Sequence, residues 1–363
     1  MENHRPGIAS ATSARLVGLA VAILLCATPA WAQNAYITNR ASHNVSVINT
    51  ATGAPIATIA VGQAPFGVAV SPSGDRAYVA NSQSNSVSII DTAANTVTAT
   101  VGVGSGPAGV AVSPSGDRVY VANADADSVS VIDTASDTVI ATIGVGDLPQ
   151  ALVVSPAGDY VYVADFWSHT VSVIDVASGL RIAAIAVPLG PMALALSPDG
   201  SRLYVASTDS SLLSVIDTAT RTVIDTGFVG NRPRGLAISS DGARLYVANS
   251  QDSTVAVVDA ATLAVTATVT VGLYPWGVSL TPSGTRLYAA NYGSNTVSII
   301  DTGANTVTDT VNTGASPAAL GQFIVAAPPA PAVVPTLSEW AMILFGLMLA
   351  GGAALRLHRR RTA

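Results

Sequence analysis

The chain has no lysine, and between residues 33 and 334 it has no glutamate either. Charged residues make up only 10% of the 363 residues, so the solvated Glu/Lys faces of ordinary surface helices cannot be built from it. In that same stretch twenty Asp stand against ten Arg, leaving a clearly acidic body. Such a body lacks the cationic stripe that nucleic acid requires, and no nucleic-acid partner is expected. The one cysteine, Cys26, lies in an N-terminal apolar run. Its isolation removes disulfides, thiolate chemistry and Cys-ligated metals from the rest of the chain. Histidine is scarce too, with only His43 and His169 in the body.

What the chain does have is repetition. Residues 67–104, GVAVSPSGDRAYVANSQSNSVSIIDTAANTVTATVGVG, recur whole or in part along almost the entire body. The Tyr opening the YVAN segment returns as Tyr36, Tyr78, Tyr120, Tyr162, Tyr204, Tyr246 and Tyr288, every step 42 residues. The Pro before each copy keeps the same step from Pro65 to Pro317, and the residue closing SIID keeps it from Asn49 to Asp301. Seven units without insertions read as one array of identical modules.

Within a unit, small and branched residues alternate through GVAVS, and Pro-Ser-Gly-Asp then makes a turn with Gly placed for a positive φ. RAYVAN, SVSIID and TVTATVGV follow as β-branched runs separated by polar turns. Four antiparallel strands per unit, a to d, are therefore expected. The first unit starts directly at strand b, and after Pro317 a lone strand a has nothing behind it. The expectation is an all-β, seven-bladed β-propeller, closed by the C-terminal strand joining the N-terminal three in one blade, which removes exposed edges. The YVAN, SIIDT and GVAVSP segments resemble the YVTN-type β-propeller repeat, a family of exported and surface-layer proteins.

The two ends read differently. Residues 1–32 have the Arg5/Arg15 n-region, an apolar core and Ala30-Trp31-Ala32, so a signal peptide cut between Ala32 and Gln33 is expected. The propeller is assigned to residues 33–326, a Pro/Ala linker to 327–336, and one C-terminal hydrophobic helix with an Arg tail to 337–363. The apolar stretch is short for a span, and Trp340 and the Arg side chains are expected to extend it at the interfaces. Pro335-Thr336-Leu337-Ser338-Glu339-Trp340, then a helix and an Arg run, resembles the IPTL-CTERM sorting signal; Val334 stands where that family's Ile would be. The resemblance implies a sorting peptidase as a partner. It also implies an exported protein, anchored to the membrane through that helix at least transiently and facing the periplasm, then moved to the cell surface or beyond.

Residues present in every unit serve the unit, so the repeated Tyr, Asp and Arg are read as structural. The Asp is expected to accept backbone N–H groups as strand c enters its turn. His43 and His169 fall at the same b–c turn position three blades apart, about 150° round a seven-fold ring. They cannot share a metal at about 2 Å, and they are read as turn histidines in solvent. Asp125 and Asp127 lack the Gly and distal Glu of a calcium loop. No metal, cofactor or catalytic constellation is assigned.

Divergence is concentrated on one face, that of the d–a and b–c connections. Just after each repeat Pro stand Phe66, Ala108, Gln150, Met192, Arg234, Trp276 and Ala318. The candidate binding residues are Phe66, Phe166, Trp167, Arg232, Arg234, Tyr274, Trp276 and Tyr292, since aromatics on loops of a rigid scaffold mark recognition surfaces. They equally suit a plug that closes the channel mouth. The expected function is a non-enzymatic binding module for a glycan, peptide or envelope protein. A channel-mouth lyase or lactonase-like enzyme and a purely structural coat protein are the alternatives.

Overall fold

The structure, a computed structural model, describes residues 33–324. The expected signal peptide, Pro/Ala linker and C-terminal helix lie outside the described residues. Within them, strands β1–β27 in chain order make seven antiparallel sheets, six of four strands and one of three. The innermost strand of each sheet packs on that of the next, which sets the sheets as blades round one axis. One blade serves for all: β4 (Pro65–Val70) is innermost, followed outward by β5 (Arg76–Asn81), β6 (Ser86–Asp91) and β7 (Thr96–Gly102). β5 and β6 bury both faces between neighbouring blades, and β7 mostly alternates exposed with half-buried residues as the rim of the disc.

The repeated polar residues turn out to be fasteners. Tyr288 is buried and its hydroxyl donates to the Thr50 carbonyl of the next blade at 3.2 Å; Tyr204 does the same to Ala260 at 3.1 Å. Arg76 reaches Asp137 across the next blade boundary at 2.9 Å, and Arg286 reaches the Thr50 carbonyl at 2.9 Å. Asp91 accepts the N–H groups of Ala93 and Ala94 at 2.9 and 2.7 Å, the expected turn cap. The Asn of YVAN is fully buried and ties strand b to strand c: Asn81 Nδ2 donates to Ser88 at 3.0 Å, Asn123 to Ser130 at 2.9 Å.

The ring closes between the termini. Beside β1 (Asn34–Asn39), the Ala318 N–H donates to the Thr38 carbonyl at 2.9 Å and the Tyr36 N–H to the Phe323 carbonyl at 3.1 Å. This segment is not the regular strand expected from residue 319 onward; it pairs through isolated bridges at Pro317 and Ile324. Ala319 and Gly321 have φ of 43° and 111°, which kinks the backbone. The Ala319 N–H instead finds the Thr38 hydroxyl at 2.8 Å, and that hydroxyl donates to the Phe66 carbonyl at 2.7 Å. At Gly277 the inner strands come so close that a Cβ would collide with the Ala319 carbonyl oxygen.

Candidate functional site at the channel mouth

Backbone pairing confirms which loops share a face. The Ser82 N–H donates to the Ala64 carbonyl, joining a b–c turn to the preceding d–a loop, and the Thr92 N–H donates to the Asp75 carbonyl on the opposite face. On the first face, the residues after the repeat prolines converge on the axis. Phe66, Ala108, Met192 and Ala318 are buried together with Ala124 and Leu320, and Phe166 and Trp276 pack against them. Small Ala318 lets the rings on either side of it meet: Phe66 and Trp276 contact edge to face, centroids 5.7 Å apart.

Above that floor lies the most polar part of the mouth. Trp276 stacks on Tyr292 at 4.1 Å and 13°, and Arg234 lies over Trp276, its guanidinium carbon 4.5 Å from the ring centroid. Arg232, held in the left-handed region at φ 54°, reaches Asp209 at 3.5 Å. Burial, and then the nearby charge of Arg232, pull Arg234 below its ordinary guanidinium value, while Asp209 acts in the opposite sense. Among the described residues Arg234 has no ion pair, so its N–H donors remain available at the mouth. Arg40 adds a third cation, 5.4 Å from the Phe66 centroid.

Of the eight candidate residues, Phe66, Arg234, Trp276 and Tyr292 form one contact cluster, with Arg232 beside it. Phe166 packs on the edge of the floor. Tyr274 and Trp167 are 55% and 65% exposed; the first borders the Tyr292 turn through Gly293, and the second faces solvent. Asp209 and Arg40 were not singled out from the sequence. Arg40 occupies the same register after strand b as Phe166 and Tyr292, so position within the repeat was the signal that could have found it.

The histidines are not simply solvated. The Nδ1 of His43 accepts the Ala64 N–H at 3.0 Å, and that of His169 the Gly190 N–H at 3.2 Å. Asn85, Asp127 and Asn295 make the equivalent bond in other blades. Each is an acceptor on a left-handed turn residue that pins the following d–a loop. Among the described residues, no group of three or more His, Cys, Asp or Glu could hold a metal ion.

A family model of the seven-bladed β-propeller lactonases matches residues 57–180. A second model, the IPTL-CTERM motif, matches residues 332–361 and fits an exported, cell-surface protein. No curated protein matches the chain. Among solved structures, a hydrazine synthase of Kuenenia stuttgartiensis is 26% identical, with a TM-score of 0.64, covering 70% of this chain and 88% of its own. A candidate 6-phosphogluconolactonase of Bacteroides uniformis is 20% identical, with a TM-score of 0.68, covering 79% and 98%; one of Bacteroides fragilis is 18% identical, at 0.69, covering 80% and 98%. At such identity these last two establish a shared fold.

The lactonase match corrects the expectation of a non-enzymatic binding module. That expectation rested on the absence of a recognisable catalytic constellation in the sequence. Arg234, Arg232 and Asp209 become neighbours only when two adjacent blades close against each other.

Proposed function

We propose that this exported propeller is a lactonase-like hydrolase that opens a lactone ring at the Arg234 mouth. The observation that carries the reading is Arg234: a half-buried guanidinium, held against Trp276, with its hydrogen-bond donors free. A cation fixed in a poorly solvated basin stabilises the oxyanion that forms when a lactone carbonyl is attacked. Asp209, paired with Arg232 at 3.5 Å, is the carboxylate whose charge reaches Arg234. In the proposed step a water oxygen bonds to the carbonyl carbon while Asp209 takes the water proton; the ring C–O bond then breaks, and the leaving alkoxide recovers that proton to give the hydroxy acid. Trp276, wedged between Tyr292 and Arg234, keeps the guanidinium from swinging into solvent.

The partial match to the lactonase family supports this chemistry. For the tail, the reading is that the apolar segment before Arg356 holds the chain at the membrane until a sorting peptidase acts on it. Mass spectrometry of the surface-exposed protein tests that part, since a mature form retaining the Arg run contradicts it.

The activity is tested by pH-stat titration of the purified full chain against a panel of sugar and homoserine lactones. Turnover of at least one lactone is expected, with kcat/KM reduced by about 100-fold or more in Arg234→Met at nearly unchanged melting temperature. No hydrolysis above the buffer rate, or full activity in the variant, overturns the proposal.

A further inference from the structure

The opposite pole of the axis carries a second site. A cavity of about 700 Å³ runs up the channel from the face of the a–b turns, a volume typical of small-ligand pockets. One ring of its wall, each member 42 residues from the next, is Val70, Val112, Val154, Leu196, Ile238, Leu280 and Gln322. Six members are aliphatic and one is an amide. Prolines Pro72, Pro114, Pro156, Pro198 and Pro282 form most of the rim, and a proline has no N–H to offer a polar ligand.

The inner end is shut. Met192 and Leu320 belong both to the cavity wall and to the buried floor beneath Phe66, so they are a septum between the two sites. Apart from the Ser279 hydroxyl, one residue inside the ring, the free polar side chains stand at the open end. Gln322 and Ser240 are exposed there, while the hydroxyls of Ser197 and Thr281 are already bonded, to Asp199 at 2.5 Å and to the Arg286 carbonyl at 3.2 Å. A blind well whose side chains are almost all aliphatic, with the exposed amide and hydroxyl at its entrance, is the complement of a single-chain amphiphile. At about 3.3 Å per strand residue, the positions from ring to septum span about 13 Å, room for an aliphatic chain of roughly ten carbons.

We propose that the channel binds one linear aliphatic chain, such as that of a fatty acid, inserted tail first with its head group at Gln322 and Ser240. The site is independent of the proposed lactone chemistry at the other pole.

The test is isothermal titration of the full chain with hexanoate, octanoate, decanoate and dodecanoate in digitonin, a detergent without a linear alkyl tail. One equivalent per chain is expected, with a negative heat-capacity change and affinity that rises with length and levels off near ten carbons. Ala237→Phe and Ala111→Phe, which fill the well from different blades, each weaken decanoate binding at least tenfold in folded protein, and Arg234→Met leaves it unchanged. Absence of saturable heat in the wild-type chain, affinity that climbs without levelling, or heat unchanged in both Phe variants overturns the proposal, the last assigning the heat to the tail or the detergent. Because the Arg234 variant separates the two poles, loss of one activity leaves the other readable.

Discussion

Asp165 occupies the register held by Asn39, Asn81, Asn123, Asn249 and Asn291 in other blades, and it is fully buried. Asn123 donates through Nδ2 to Ser128 and Ser130 at 3.2 and 2.9 Å; at Asp165 the direction reverses, and Thr170 and Ser172 donate to the carboxylate at 2.9 and 2.6 Å. Two hydroxyl donors do not replace full hydration, and burial raises this carboxyl above its ordinary 3.8 despite them. A carboxyl with a raised folded value is favoured in the fold when protonated. Its destabilising effect is therefore largest above the folded value and shrinks as pH falls toward the unfolded one. Asp165→Asn restores the amide that the Ser and Thr hydroxyls meet in other blades, a gain of about 1–3 kcal/mol at neutral pH. For a domain of this size that corresponds to a rise of roughly 3–8 °C in melting temperature. Differential scanning calorimetry at pH 7.5 and at pH 4 reads both parts. A variant that melts below wild type at pH 7.5, or a gap of equal size at the two pH values, refutes the reasoning.

Gly277→Ala drives a Cβ into the Ala319 carbonyl oxygen at the ring closure, and a loss of about 3 kcal/mol or more is expected in urea denaturation. Thr38→Val leaves the Phe66 carbonyl and the Ala319 N–H buried without the hydroxyl that joins them, so about 2–4 kcal/mol is lost, measured the same way. His169→Asn keeps an acceptor for the Gly190 N–H, as Asn85 does for Gly106; melting temperature and metal content by plasma mass spectrometry should both stay at wild-type values. Trp276→Ala removes the surface on which Arg234 lies and is expected to lower both stability, by about 2–4 kcal/mol, and lactone turnover.

The blades were legible because a 42-residue period repeats the same physics seven times: β-branched strands, a Gly turn, an Asp cap. The closing blade was legible in its membership and not in its geometry. The left-handed Ala319 and the use of the Thr38 hydroxyl in place of a carbonyl depend on two chain ends that lie about 280 residues apart. The mouth was legible as a list and not as a set of contacts. Phe66 and Trp276 are five repeats apart in sequence and touch across Ala318. Asp209 escaped notice because it stands in a turn whose composition is ordinary. Its partner Arg232 belongs to the next blade, a relation that no spacing within a single unit displays.

The position after each repeat proline is the place where seven different side chains must share one axis. Seven identical residues there would give either a uniform plug or an open hole, since rotational symmetry forces equal contributions. This chain breaks the symmetry by size: small residues at Ala108 and Ala318, large ones at Phe66, Met192 and Trp276. The large side chains lean into the space left by the small ones and seal the axis on one side, with Met192 and Leu320 in the septum. Arg234 stands outside the seal and over the Trp276 ring, half-buried. The same unevenness accounts for both poles. A plug placed at one end leaves a cation stacked on its outer side and a blind, largely aliphatic well beneath it.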